Sequence, residues 1–183
     1  MPAALESLLL SRIDNLTIPA RQAAQAAAIV GRNFSYSVLR RLHPSELLER
    51  DLNTLVRAGV IRERRRYPEL EYSFTHGLLR EAALSTLTRS SRRDLYGRVA
   101  AAFEELFADS LEEHLELLAH YYGRSDNLPK ALEYLERAAE GAVRLKADFQ
   151  AAELWRRANK VAVELGDVEA ETRIAARLSE SGG

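Results

Sequence analysis

"VIRERRRYPELEYSF", residues 60–74, is the one stretch of this chain that repeats with a period of two. Two arms, Val60–Arg64 and Leu70–Phe74, lie on either side of Tyr67-Pro68, and apolar and polar residues alternate strictly along the second. Alternation of that kind around a turn dipeptide predicts a β-hairpin. Everything before and after it is spaced as helix.

Upstream, Leu5, Leu8, Leu9, Ile13 and Leu16 predict a first helix over Ala4–Asn15. Pro19, at a first-turn position, opens a second helix in "PARQAAQAAAIVG", which Gly31 ends. "FSYSVLRRL" predicts a short third helix capped by Ser35. "PSELLERDLNTLVRAG" starts on Pro-Ser and places Leu47, Leu48, Leu52, Leu55 and Val56 on one face, and Gly59 stops it. Three helices and a hairpin in about 60 residues form the winged-helix arrangement, a helix-turn-helix variant.

Downstream, helical spacing predicts "HGLLREAALSTLT" and then "SSRRDLYGRVAAAFEELF", with Leu95, Val99, Ala102, Phe103 and Leu106 on one stripe. "LEEHLELLAHYYGRSDN", "LPKALEYLERAAEGAVRLKA", "DFQAAELWRRANKVAVELGD" and "VEAETRIAARLSESGG" follow as further helices. Lys130–Ala138 and Gln150–Ala158 superpose at an offset of 20, Ala131 on Ala151 and Ala138 on Ala158. A small residue early in the helix with an aromatic a few positions on resembles the second helix of a tetratricopeptide (TPR) unit. The short offset makes these degenerate TPR-like hairpins. The expected fold is mostly α, with a winged-helix domain and its preceding linker helix over 1–88 and a TPR-like helical repeat region over 89–183.

The net charge of −1 hides a split. Residues 1–98 hold 16 Arg, no Lys and 10 Asp+Glu, a net +6, and the remainder carries −7. Such a split suggests two modules with different surroundings. Cysteine is absent, which excludes disulfides, thiolate catalysis and thiolate zinc sites and suits a cytoplasmic protein. Arg12 and Asp14 interrupt the apolar N-terminal run, so neither a signal peptide nor a membrane span is expected.

No phosphate-binding loop, dinucleotide fingerprint, HExxH pair or nucleophile elbow occurs. No catalytic residue and no metal site is therefore expected, and the chain is not read as an enzyme. His114 and His120 are six apart, on different helix faces, and Glu112, Glu113 and Glu116 read as a solvated face. Arg62, Arg64, Arg65 and Arg66 form the candidate nucleic-acid contact, since basic wings meet phosphates. Against it, the helix that would enter the major groove carries Glu46, Glu49 and Asp51 against Arg50 and Arg57, with Asn53 and Thr54 as the remaining base-facing candidates. Tyr121, Tyr122, Tyr134 and Trp155 are either a partner-binding groove or the aromatics that repeat helices pack between layers. His76 stands where the hairpin's last strand gives way to a helix, beside that helix's free N–H groups, a place suited to phosphate.

The order of "PAALESLLLSRIDNL", "AAIVGRNFSYSVL", "LERDLNTLVRAGVI", "EYSFTHGLLREAALSTL" and "RRDLYGRVAAAFEE" resembles the segment after the ATPase module in bacterial STAND-type signalling ATPases. That family includes predicted ATPases associated with class III adenylate/guanylate cyclase domains and the large LuxR-type transcriptional activators. The resemblance covers about residues 2–165 and implies a winged-helix domain followed by TPR-like helices. In related nucleotide-switch ATPases a Met-His-Asp triplet opens the helix after the hairpin, its histidine near the β-phosphate of ADP. Phe74–Thr75–His76–Gly77 takes that place here, with Gly77 where the aspartate would be. The resemblance thus implies a nucleotide-phosphate contact at His76, with ATP/ADP and Mg held by an ATPase module upstream of residue 1. It also implies signal transduction in which the TPR-like helices receive a protein or small-molecule signal. The alternatives from the residues are a free-standing winged-helix DNA-binding regulator and a TPR-type protein-interaction adaptor.

Overall fold

The computed structural model describes residues 9, 11–43 and 47–181. The chain is mostly helical, with one small antiparallel sheet, and it divides into two units, residues 1–102 and residues 103–183. The division falls inside one helix, 14 residues beyond the boundary expected at 88. Because residues 99–102 are uncharged, the units inherit the +6 and −7 read from the sequence.

In the first unit, most of the helix expected over Ala4–Asn15 lies outside the described residues. Residues 11–14 are helical, and Leu9, Ile13 and Leu16 are buried. Helix α1 (Ile18–Val30) has Pro at its first turn, and its alanines are what it buries: Ala20, Ala23, Ala24, Ala26, Ala27 and Ala28, together with Ile29. Side chains that small let neighbouring backbones approach closely. Strand β1 (Asn33–Ser35) leads directly into helix α2 (Tyr36–Leu42), whose Val38 N–H donates to the Ser35 hydroxyl at 3.4 Å. The expected cap is the observed one.

Helix α3 (Leu48–Arg57) begins after the undescribed residues 44–46, so the Pro-Ser start expected for it lies outside the described residues. Leu48, Leu52 and Leu55 are buried, but Leu47 and Val56 are exposed, which corrects the five-residue apolar face. Val56 is one position from Leu55 and so about 100° round the helix from it, too far to share its buried edge. Gly59 ends the helix with φ +67, and the Val60 N–H reaches back to the Leu55 carbonyl at 3.0 Å. That left-handed turn feeds the chain into strand β2 (Ile61–Arg65).

Strand β3 (Glu71–Phe74) pairs antiparallel with β2, as expected, and on its other edge with β1, giving the order β1-β3-β2. The third strand was not expected. Three residues, Asn33–Ser35, are too few to show a period, and only pairing with β3 reveals them. Phe34 stacks on Tyr72 (5.9 Å between centroids, 18°) and meets Phe74 edge-on at 5.7 Å. Helix α4 (Gly77–Ser85) follows, held to α1 by Arg80 Nε donating to the Ala28 carbonyl at 2.8 Å and by Gln25 donating to Thr86 at 2.8 Å. Helix α5 (Arg89–Leu106) then buries Leu95, Val99, Ala102 and Phe103, four of its five stripe positions.

In the second unit, the segment expected to continue as one helix opens with a 3-10 turn over Ala108–His114, non-helical at Ser110, before helix α6 (Leu115–Tyr122). Helices α7 (Leu128–Arg144), α8 (Asp148–Leu165) and α9 (Val168–Ser181) pack each against the next. The 20-residue correspondence is visible in burial. Ala131, Ala138, Ala151 and Ala158 are buried, Glu133 and Glu153 are exposed, and Tyr134 and Leu135 are buried like Leu154 and Trp155. Among the described residues no helix is long and apolar enough to cross a membrane.

Candidate functional site

His76 is the N-cap residue of α4, in extended conformation (φ −136, ψ 142), and its side chain is exposed. The ring makes no capping hydrogen bond. The backbone does the local work instead: the His76 carbonyl accepts from the Leu79 N–H at 3.1 Å. The residue before it is tied down. Thr75 donates through its backbone N–H to the Val60 carbonyl at 3.0 Å and through its hydroxyl to the Gly59 carbonyl at 2.7 Å. The last position of the sheet is therefore held firmly against the turn after α3, and the imidazole projects from that anchored point. The first amides of any helix lack intrahelical partners and carry the positive end of its dipole. Among the described residues none would lie within 4 Å of a side-chain carbon at Gly77, which leaves the start of α4 open on that side.

The hairpin arginines lie along an exposed edge. Arg62–Arg65 are solvent-facing in β2, with Arg66 beyond them. Each has a neighbour. Arg62 Nε donates to Ser73 at 3.3 Å, Arg64 and Arg65 share Glu71, and Arg66 donates to Glu63, one contact at 3.0 Å. Glu63 is held below the usual carboxylate range chiefly by its hydrogen bond from Arg66. These pairs are exposed, and such pairs contribute little and exchange readily.

Asp51, counted above as part of an acidic recognition helix, is buried. Its Oδ2 lies 3.3 Å from His43 Nε2, so its charge faces inward to α2's last turn. Glu46 lies outside the described residues. The outward side of α3 presents Glu49, Arg50, Asn53 and Arg57, which with Leu47 and Thr54 line one shallow depression of about 560 Å³. The described part of that face is therefore not acidic. A second cleft in this unit, about 470 Å³, is lined by Gln22, His43, Thr88, Asp94 and Arg98 among others, and Arg98 Nη2 donates to the Leu42 carbonyl at 2.6 Å.

Tyr121, Tyr122, Tyr134 and Trp155 are each no more than 3% exposed. Buried side chains cannot line an open groove, and the geometry is that of aromatics packed between helices. Tyr122 and Tyr134 stack nearly parallel (5.8 Å, 5°), and Tyr121 meets Phe103 at 5.3 Å. Sequence reasoning missed the group that organises them. Glu104, on α5, accepts from Tyr122 Oη at 2.7 Å, from Tyr134 Oη and from Lys130 Nζ. Burial works to raise the Glu104 carboxyl, and the three donors overcome it and hold the group below its usual range. Burial, then the hydrogen bond to Glu104, raises both phenols far above theirs. The signal lay in the spacing of Lys130 and Tyr134, one helical turn apart, but the acceptor is 26 residues away in the chain. His114 and His120 sit in different elements, the 3-10 turn and α6. Among the described residues no group of three or more His, Asp or Glu is placed to hold a metal ion. Glu112 and Glu116 are exposed as expected, yet each takes a partner across helices, Arg137 at 2.6 Å and Gln150 at 2.7 Å.

No family model matches the chain, and no solved structure matches it. It is similar to an uncharacterized protein of Rhizobium meliloti (strain 1021), 30% identical over 124 residues, an alignment covering 62% of this chain. The chain spans 12% of the length of that relative.

Proposed function

We propose that this chain is the regulatory and scaffold segment of a STAND-type signal-transduction ATPase. In that reading the first unit is a winged-helix domain that closes over an ATPase module, and the second is a set of TPR-like hairpins that receive a protein or small-molecule signal. The observation that carries it is His76: an exposed imidazole without a capping partner, at the start of α4, on a backbone anchored through Thr75. An imidazole beside free helix amides suits a β-phosphate presented by another module. The 12% span of the long relative agrees with a segment that works as part of a larger protein.

Mechanistically this is a population shift. ADP bound to the ATPase module gains the His76 contact only in the closed arrangement, and its loss favours the open one. The chain itself supplies no catalytic group to hydrolysis. The test is nucleotide exchange in the full-length protein bearing its ATPase module, parent against His76→Ala. The expected result is faster ADP release and raised basal signalling. Unchanged ADP release would overturn the proposal.

A further inference from the structure

The cleft of about 470 Å³ in the first unit is lined from two helices, and His76 is not part of it. On α1, Gln22 and Gln25 stand at i and i+3; on α5, Ser91, Asp94 and Arg98 stand at i, i+3 and i+7, so each set shares one side of its helix. The end of α2 at His43 and the turn between α4 and α5 supply the remaining polar lining. Buried Ala26, Leu42 and Leu95 give the cleft an apolar wall. Its volume is that of a small-molecule site, and a partly apolar wall with a few polar groups is how such sites are built.

Several of the polar groups already have partners. Gln25 donates to Thr86 at 2.8 Å, the Thr88 hydroxyl donates to Ser91 at 2.9 Å, and His43 meets Asp51 through Nε2 at 3.3 Å. The two charges on α5 are different. Asp94 and Arg98 have the i,i+4 spacing at which helix ion pairs form. Arg98 Nη2 instead donates to the Leu42 carbonyl at 2.6 Å, and among the described residues Asp94 has no partner. Arg98 keeps further guanidinium N–H groups for a second acceptor. His43 apart, the rest of the lining is uncharged. A simple anion would gain Arg98 but meet Asp94, and a simple cation the reverse. A molecule that carries both charges gains both contacts, each a charge-assisted hydrogen bond.

We propose that this cleft binds a small zwitterion of the amino-acid class, its ammonium on Asp94 and its carboxylate on Arg98. The ligand bridges α1, the end of α2, the turn after α4 and the first half of α5, and so stabilises the first unit by mass action. The proposal does not depend on the nucleotide role of His76.

The test is differential scanning calorimetry of the purified chain with each free L-amino acid at about 10 mM, followed by isothermal titration calorimetry of those that raise Tm. Acetate and methylammonium, alone, supply one charge each. At least one amino acid should give a saturable rise in Tm and a titration heat, and neither single-charge probe should do so. Asp94→Asn and Arg98→Gln should each weaken binding about ten-fold or more, the cost of losing a hydrogen bond to a charged group. Melting without ligand checks that each variant folds. Arg98→Gln also gives up the bond to the Leu42 carbonyl, so Asp94→Asn, which keeps the shape of the side chain, is the deciding variant. The titration contains no nucleotide, so its outcome is separate from that of the ADP-release experiment. No shift or heat with any amino acid, an equal shift with acetate or methylammonium, or undiminished binding by Asp94→Asn would each overturn the proposal.

Discussion

His43 Nε2 lies 3.3 Å from Asp51 Oδ2, joining the last turn of α2 to the buried side of α3. This contact removes one carboxylate from the surface of α3, whose buried side is set by Leu48, Leu52 and Leu55. His43→Ala would leave a buried carboxylate without its partner, a loss of about 1–3 kcal/mol. For a unit of about 100 residues that is a fall in Tm of the order of 5–15 °C. The matching double variant with Asp51→Ala should recover part of the loss. A thermal double-mutant cycle with no coupling between the two positions would show that the pair contributes nothing.

The Glu104 network makes a prediction with two pH arms. Glu104 is held below its usual range in the folded protein, so its contribution is present above the unfolded carboxylate pKa and lost as pH falls through the folded one. Tyr122 and Tyr134 are raised, so theirs is present below the ordinary phenol range and lost as pH rises. Alkaline absorbance titration should show at least these two of the seven tyrosines resisting ionisation until the protein unfolds. Glu104→Gln should let them ionise earlier and flatten the acid arm of a Tm–pH profile. Seven phenols titrating together in the folded protein would contradict the geometry.

Lys146 and Gly166 occupy the same kind of position, the left-handed residue that ends α7 and α8 respectively, with φ +56 and +67. Ala147 donates back to the Ala142 carbonyl at 2.9 Å and Asp167 to the Ala162 carbonyl at 3.0 Å, so both turns close alike. A side chain is strained there. Lys146→Gly is expected to stabilise the second unit by up to ~1 kcal/mol and Gly166→Ala to destabilise it by ~1 kcal/mol. Chemical denaturation midpoints should move in opposite directions for the two variants.

Trp155 is the only tryptophan and is 3% exposed, and among the described residues its indole N–H has no hydrogen-bond partner. Its fluorescence should be blue-shifted in the folded protein and report unfolding of the second unit. Trp155→Phe keeps an aromatic ring in place while removing the unpaired donor, so the cost should stay below about 1.5 kcal/mol. Trp155→Ala should cost about 3–5 kcal/mol. Equal losses in urea melts would mean that ring packing is not what holds this position.

Much of the architecture was legible because it rests on local periodicity. The hairpin arms around Tyr67-Pro68, the Ser35 cap, the stop at Gly59 and the stripe of α5 are each decided by residues within a few positions of one another. The candidate sites were legible less evenly. The position of His76 at the head of α4 follows from the change of period after Phe74. The burial of Tyr121, Tyr122, Tyr134 and Trp155 does not, because an aromatic on a helix reads the same whether it meets another helix or a ligand.

By itself the sequence determined the mostly helical class, the place of the hairpin, the order of the elements and the opposite charges of the two halves. Hydrophobic period, turn chemistry and formal charge are properties of the chain read in line. Tertiary structure alone decided that Asn33–Ser35 is a strand, that Asp51 turns inward to His43, and that Glu104 gathers Lys130, Tyr122 and Tyr134. Two of these depend on partners distant in the chain, a backbone edge 40 residues on and an acceptor 26 residues away, and the third on which way a helical residue turns relative to a histidine eight positions before it. Pairing across such distances carries no local periodic signal, so only the folded chain reveals it.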